Sequence, residues 1–162
     1  ALRDLTFWTM GSFAGATWSR IGLLCPFLLV AAGGMAYLAS PLNALLLGES
    51  DARLMGYPVE RIKRLAMFSV ACAVGPTVSF VGAIGFVGVV VPHLVRLVTG
   101  PDHRLVLPGS ALLGAILLIA ADTLARVIAM PADVPVGIVT AVLGTPVFGW
   151  LLTRVHDWEA LS

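Results

Sequence analysis

Asp122 and Arg126 stand four residues apart inside an otherwise apolar run. At that spacing two side chains share one face of a helix and can pair. A lone charge at the centre of a membrane helix costs about 2.5–3.5 kcal/mol, so a pair is expected there. The pattern favours a structural ion pair near the outer end of the helix over a residue that touches a substrate. Glu49 and Arg53 repeat the spacing in the most polar part of the chain. On a solvated surface such a pair contributes only tenths of a kcal/mol. His93 follows Pro92, which fits a structural or gating role, while His103 and His156 fall in polar segments and read as solvated. Cys25 and Cys72 lie in apolar runs without partners at ligand spacing and read as small buried hydrophobes. No H-E-x-x-H occurs, and Asp122 is the only acid placed within an apolar run, so neither a zinc site nor a carboxylate pair is indicated. Ser110 has no histidine at suggestive spacing. A glycine-rich phosphate loop with lysine is also missing, so any ATP hydrolysis must come from another subunit. The expectation is therefore no catalytic residue, no bound metal and no cofactor held by this chain. A membrane-embedded enzyme is the alternative these gaps weaken, and an assembly subunit of a larger complex is another.

The elements that would position these residues must work in lipid. Hydrophobic residues make up 59% of the chain and charged residues 12%, with a mean hydropathy of +0.97. Soluble domains carry about 25% charged residues, so this chain has too little polar surface to cover a globule. A net charge of +1 gives no reason to expect a nucleic-acid partner.

The predicted fold is all-α, a polytopic transmembrane helix bundle. Spans are predicted at about 21–39, 62–81, 86–98, 108–130 and 136–153. Residues 1–20 form an outer segment. Residues 40–64 form a polar loop of two short helices, broken at Gly48 and at Gly56-Tyr57-Pro58. Leu65 to Val95 contains no Asp, Glu, Lys or Arg, and Gly82-Ala83-Ile84-Gly85 is the turn that divides it. Gly100 to Arg104 reads as part of a polar turn, and Pro131 to Pro135 as a tight connector. Ser110/Gly114 and Ala111/Ala115 have the small-xxx-small spacing of close helix packing. The last span is expected to break at Gly144-Thr145-Pro146.

Arg53, Arg61, Lys63, Arg64, Arg96, Arg104 and Arg154 fall on one side of this arrangement, and Arg3 and Arg20 on the other. The basic side is predicted to be cytoplasmic. The chain opens on Ala1, shows no signal peptide, and has an odd number of spans with an outside start. These features predict a fragment of a longer protein.

The segment from Leu42 to Gly56 has apolar residues that face no membrane. A short helix on the cytoplasmic side must bury that face on the bilayer or on a partner. Mixed charge favours a protein partner. The segment resembles the cytoplasmic coupling loop of the FecCD-type permeases, approximately L-N-x-L-x-L-G-E-x-x-A-x-x-L-G. It matches at Leu42, Asn43, Leu45, Leu47, Gly48, Glu49, Ala52 and Gly56, with Met55 where leucine is usual. Gly82 to Gly88, Val91-Pro92-His93, Gly100 to Arg104, Ala121 to Arg126 and Pro135 to Ala141 are also similar to the family's motifs. The likeness covers nearly the whole chain and aligns it with the second half of a ten-span permease.

The resemblance implies a permease subunit of an ATP-binding-cassette importer in the bacterial inner membrane. Two permease copies would sit on ATP-binding subunits that hold ATP and Mg, and a periplasmic substrate-binding protein would deliver the cargo. Leu45, Leu47, Gly48, Glu49, Ala52, Arg53 and Gly56 are then the ATPase-coupling set. The stretch from Phe7 to Trp18 is similar to a part of the family that borders the translocation path. Phe7, Trp8, Met10 and Phe13 are the expected pathway residues. The form of this stretch is more like haem permeases than cobalamin ones, so haem leads over siderophores and cobalamin as the expected iron chelate.

Overall fold

The computed structural model describes residues 2–130 and 134–159, and seven helices account for most of them. They are α1 (Leu2–Met10), α2 (Trp18–Leu45), α3 (Glu49–Leu54), α4 (Val59–Val81), α5 (Val87–Thr99), α6 (His103–Ala129) and α7 (Val136–Glu159). Among the described residues there is no strand, and the all-α expectation holds. Four helices are long and apolar enough to cross a membrane: α2, α4, α6 and the 136–154 part of α7. Helix α5 has 13 residues. At about 1.5 Å per residue it covers roughly two-thirds of a 30 Å hydrocarbon core. The five expected spans are thus four long helices and one short one.

Several boundaries differ from the sequence-based expectation. Ser40 to Leu45 continue α2 and do not form a separate short helix. Pro41 lies inside α2, and one missing backbone bond does not stop a helix of 28 residues. Helix α6 starts at His103, because the Asp102 side chain accepts from the Arg104 backbone N–H and caps it. Pro108 is therefore inside the helix. Helix α7 runs through Gly144-Thr145-Pro146 without a break. The Thr145 hydroxyl donates to the Ala141 carbonyl at 2.7 Å beside the proline. The expected connector at Pro131–Pro135 lies mostly outside the described residues.

Packing is close where glycine permits it. Gly34 of α2 lies against the buried Ser69 of α4. Val91 and Val95 of α5 pack with Val106 of α6. Gly109 and Gly114 of α6 offer no side chain where those two valines press in. Ala111 instead lines an open apolar groove between α2, α4 and α6, of about 660 Å3. Cys25 is exposed on α2 and Cys72 is half-buried, so the expectation of two buried cysteines fails at Cys25.

At one end of the bundle the chain is clasped backbone against backbone. Gly11 and Gly82 both have positive φ, +75° and +84°, and both are buried. The Ser12 N–H donates to the Val81 carbonyl at 2.8 Å. A side chain at Gly82 would overlap the Trp8 carbonyl oxygen, and one at Gly137 would overlap that of Met10. The end of α1 is thereby held between the 82–85 turn and the start of α7. Beside it, Phe86 has φ 66°, and the Val87 N–H bonds back to the Gly85 carbonyl at 2.8 Å. This is a γ-turn of the rare, strained hand. Phe86 packs on Gly144 of α7, where a β-carbon would stand 2.6 Å from that of Phe86.

Candidate functional site

The opposite end of the bundle carries the α2–α3–α4 turn. Gly48, with φ +115° and ψ 155°, starts α3. That region of backbone space belongs almost solely to glycine. Gly56, with φ +86°, ends the segment and lets the chain turn into α4. Between them α3 spans 6 residues, too few to hold a helix by themselves. What holds it is a small core of its own: Ala44, Ala52 and Val59, with Leu45 and Tyr57 packed against them. On the outer face Lys63 donates to Glu49, and Arg53 lies 3.9 Å from Glu49 and 3.6 Å from Glu60. The hydrogen bond from Lys63, more than its charge, holds the Glu49 carboxyl below its usual range. Glu49 therefore stays ionised at neutral pH.

The seven residues of the expected coupling set are brought together here, but they do not all face outward. Ala52 is fully buried and Leu45 half-buried, so both support the turn from within. Leu47, Glu49, Arg53 and Gly56 are exposed. Gly48, half-buried, sets the path of the chain. Leu46, Leu54 and Met55 are also exposed, and Leu54 is 86% accessible. They add an apolar patch to the charged face that the expected set omitted. A helix of six residues has no period to read, so nothing in the sequence separated Ala52 from Leu54.

The expected pathway residues lie at the other end. Trp8 and Met10 are exposed and Phe13 is half-buried. The Phe7 side chain lies outside the described residues. Trp8 shares an open groove of about 460 Å3 with Asp4, Ser12, Arg20 and Phe80. The Arg20 guanidinium stands 5.9 Å from the centre of the Phe80 ring and donates to the Gly15 carbonyl at 2.9 Å. Arg20 and Phe80 come from separate helices, and no spacing between them signals that they meet.

Arg126 Nε donates to Asp122 Oδ2 at 2.9 Å, near the end of α6 that adjoins Ser12. The Asp122 side chain is 24% accessible and that of Arg126 64%. Arg126→Ala is expected to destabilise the protein more than the double change Asp122→Ala/Arg126→Ala, because it strands a carboxylate. The cost has an upper bound of about 2.5–3.5 kcal/mol and is smaller towards a helix end. Thermal unfolding in detergent of the two single variants and the double tests this. A double variant no better than the worse single would argue against pairing.

His93 is half-buried in α5. His103 is not free in solvent, as its segment implied. It is half-buried, with its backbone N–H and ring Nδ1 both on Asn43 Oδ1. The His156 side chain lies outside the described residues. Among the described residues no cluster of His, Cys, Asp or Glu has the geometry to hold a metal ion.

The profile of the FecCD transport family matches residues 1–154. The chain belongs to the FecCD transport family. Among its FecCD relatives, the cobalamin import system permease protein BtuC of Halobacterium salinarum is 46% identical over 160 residues, which is 99% of this chain and 42% of that protein. The vitamin B12 import system permease protein BtuC of Vibrio cholerae is 43% identical over 161 residues, 96% of this chain and 47% of its own. A solved structure, an inward-facing ABC transporter of metal-chelate type, superposes with a TM-score of 0.88 at 33% identity. It covers 94% of this chain, which matches 49% of that one. The chain thus spans about half the length of the FecCD relatives it matches.

Proposed function

We propose that this chain is part of the membrane-spanning permease of an ATP-driven importer of a metal chelate, with a corrinoid such as cobalamin as the leading cargo. The observation that carries the reading is identity above 40% along nearly the whole chain to permeases named for cobalamin or vitamin B12 import. This moves the cargo away from haem. Haem remains the second reading, on the aromatic outer segment and the exposed Trp8 beside Phe80. Haem is a flat macrocycle that stacks on aromatic faces, whereas a corrinoid carries axial ligands and amide side chains above and below its ring. The α3 turn, with its exposed Leu46, Leu47, Leu54 and Met55 and its charged rim, has the character of a docking surface for a soluble ATP-binding subunit. ATP and Mg would be held there and not by this chain. A second permease copy and a periplasmic binding protein complete the assembly, in the bacterial inner membrane with α3 on the cytoplasmic side.

The test is ATPase activity of the permease–ATPase complex in nanodiscs, with its binding protein loaded with cobalamin, haem or a ferric siderophore. Stimulation by cobalamin alone supports the reading. Stimulation by haem alone keeps the permease and replaces the cargo. An assembled complex indifferent to all three would sink chelate import.

A further inference from the structure

At the end of the bundle that carries α3, one side chain joins two distant parts of the chain. Asn43, in the last turn of α2, is half-buried and uses both ends of its amide. Its Nδ2 donates to Asp102 Oδ1 at 2.6 Å. Its Oδ1 accepts from the His103 backbone N–H at 2.8 Å and lies 2.9 Å from His103 Nδ1. The chemistry fixes the amide's orientation. A carboxylate only accepts and a backbone N–H only donates, so the flipped amide would set like against like. His103 must then carry a proton on Nδ1. Asp102 Oδ1 also accepts from the Arg104 backbone at 2.9 Å, and the Arg104 guanidinium donates to Ser40 Oγ at 2.7 Å. The bond from the Arg104 backbone, followed by that from Asn43, holds the Asp102 carboxyl below its usual range. Ser40 and Asn43 of α2 thus grip the first turn of α6.

The grip matters because of what surrounds it. Helix α3 packs on α2 and α4, while α6 packs on α2, α5 and α7. Next to the cluster, α2 and the first turns of α6 line the open apolar groove, with Ala32, Met35 and Ala36 on one wall and Leu107 and Ala111 on the other. A groove of that kind transmits little force. The polar cluster stands at its end, just before the chain enters the α3 turn.

We infer that Asn43 is a positioning residue that passes displacement of the α3 turn to α6, and through α6 to its packed neighbour α5. It acts as a two-ended latch between the root of the docking loop and the Asp102–Arg104 cap. This rests on the permease reading above, and the test separates the two.

The test uses the permease–ATPase complex in nanodiscs with its loaded binding protein. Asn43→Asp puts a second carboxylate against Asp102 and breaks the latch by repulsion. Asn43→Asp/Asp102→Asn exchanges donor and acceptor and restores the link after a small side-chain rotation. The expected result is at least a tenfold loss of stimulated ATPase activity in Asn43→Asp with the complex still assembled, and recovery of at least half in the double variant. A second readout does not depend on ATP. Spin labels at Asp51→Cys on α3 and Leu105→Cys on α6, in a Cys25→Ser/Cys72→Ser background, should give one narrow distance component within each permease copy, distinguished from distances between copies by the two singly labelled variants. It should broaden in Asn43→Asp and narrow again in the double variant. Undiminished stimulation in Asn43→Asp, or no recovery in the double variant, would overturn the latch as the transmitter. An unchanged distribution would overturn it as a link. If the wild-type complex binds no ATPase subunit, the permease reading fails, and the label distances alone still decide whether the latch exists.

Discussion

Gly82→Ala is expected to unfold the clasped end of the bundle and to give the largest loss of stability of any single methyl added to this chain. Two costs fall on one residue. Its φ of +84° is a region that residues with a β-carbon avoid, and the added carbon would meet the Trp8 carbonyl oxygen. Strain of this kind costs about 1–3 kcal/mol, and overpacking against atoms that cannot turn aside costs about 1–3 kcal/mol more. A flexible side chain would yield, but a backbone carbonyl at the end of α1 does not. Gly137→Ala should act in the same direction through the Met10 carbonyl, by overpacking alone. The control lies in the same turn. A β-carbon at Gly85 meets nothing within 4 Å, so Gly85→Ala should be nearly neutral. Thermal unfolding of the permease in detergent, followed by loss of the monodisperse peak, measures all three. Equal midpoints for the Gly82 and Gly85 variants would show that the clasp is not what holds α1.

On the proposed permease reading, Gly48→Ala is expected to leave the bundle folded and to disconnect it from the ATP-binding subunit. The φ and ψ of Gly48, +115° and 155°, lie where alanine and asparagine are equally strained. Asparagine therefore offers no rescue, as it does at ordinary left-handed turns. The turn is at the surface, so the chain can relax by shifting α3 without disturbing α2 or α4. A strain of about 1–3 kcal/mol corresponds to about a 5- to 150-fold fall in the fraction of α3 that is correctly placed. Stimulated ATPase activity should drop by that range, with the unfolding midpoint little changed. The charge reversal Glu49→Lys should drop it too, by losing the bond from Lys63 and setting like charges together. Full stimulation in Gly48→Ala would mean that the exact path of this turn does not matter to docking.

Much of this fold could be read from residue types. The turns at Gly48, at Gly56-Tyr57-Pro58 and at Gly82 to Gly85 were visible because glycine and proline mark them, and each coincides with a break in helix. Proline alone misled. Pro146 looked like a break but sits inside α7, where a threonine hydroxyl occupies the neighbouring carbonyl. Asp102-His103-Arg104 looked like loop because it is polar, yet Asp102 is a cap and the other two begin a helix. The pairing of Asp122 with Arg126 was legible because both lie on one helix at a fixed spacing. Contacts between helices were not legible. Nothing local in Asn43 points to Asp102, and nothing in Trp8 or Met10 announces that their carbonyls rest against glycines. The face that α3 shows was hidden for a different reason, since it depends on the small core under Ala52.

The two ends of α2 differ in what they are made of. At the end where α2 starts, the clasp between α1, the 82–85 turn and α7 is peptide against peptide. Near its finish Asn43 and Ser40 hold α6 through amide, hydroxyl and charge. On the latch reading the clasped end of the bundle is the fulcrum, and the Asn43 end of α2 is the loaded tip of a lever. At 28 residues α2 makes an arm of about 42 Å. A helix shift of about 1–2 Å at the tip is then a tilt of only about 1–3°. Rotation that slight leaves the core contacts near the fulcrum intact while changing the spacing at the tip by a large part of a hydrogen-bond length. Leverage of this kind needs a stiff arm, and Pro26 and Pro41, each of which removes a backbone hydrogen bond, are the points where α2 would give first.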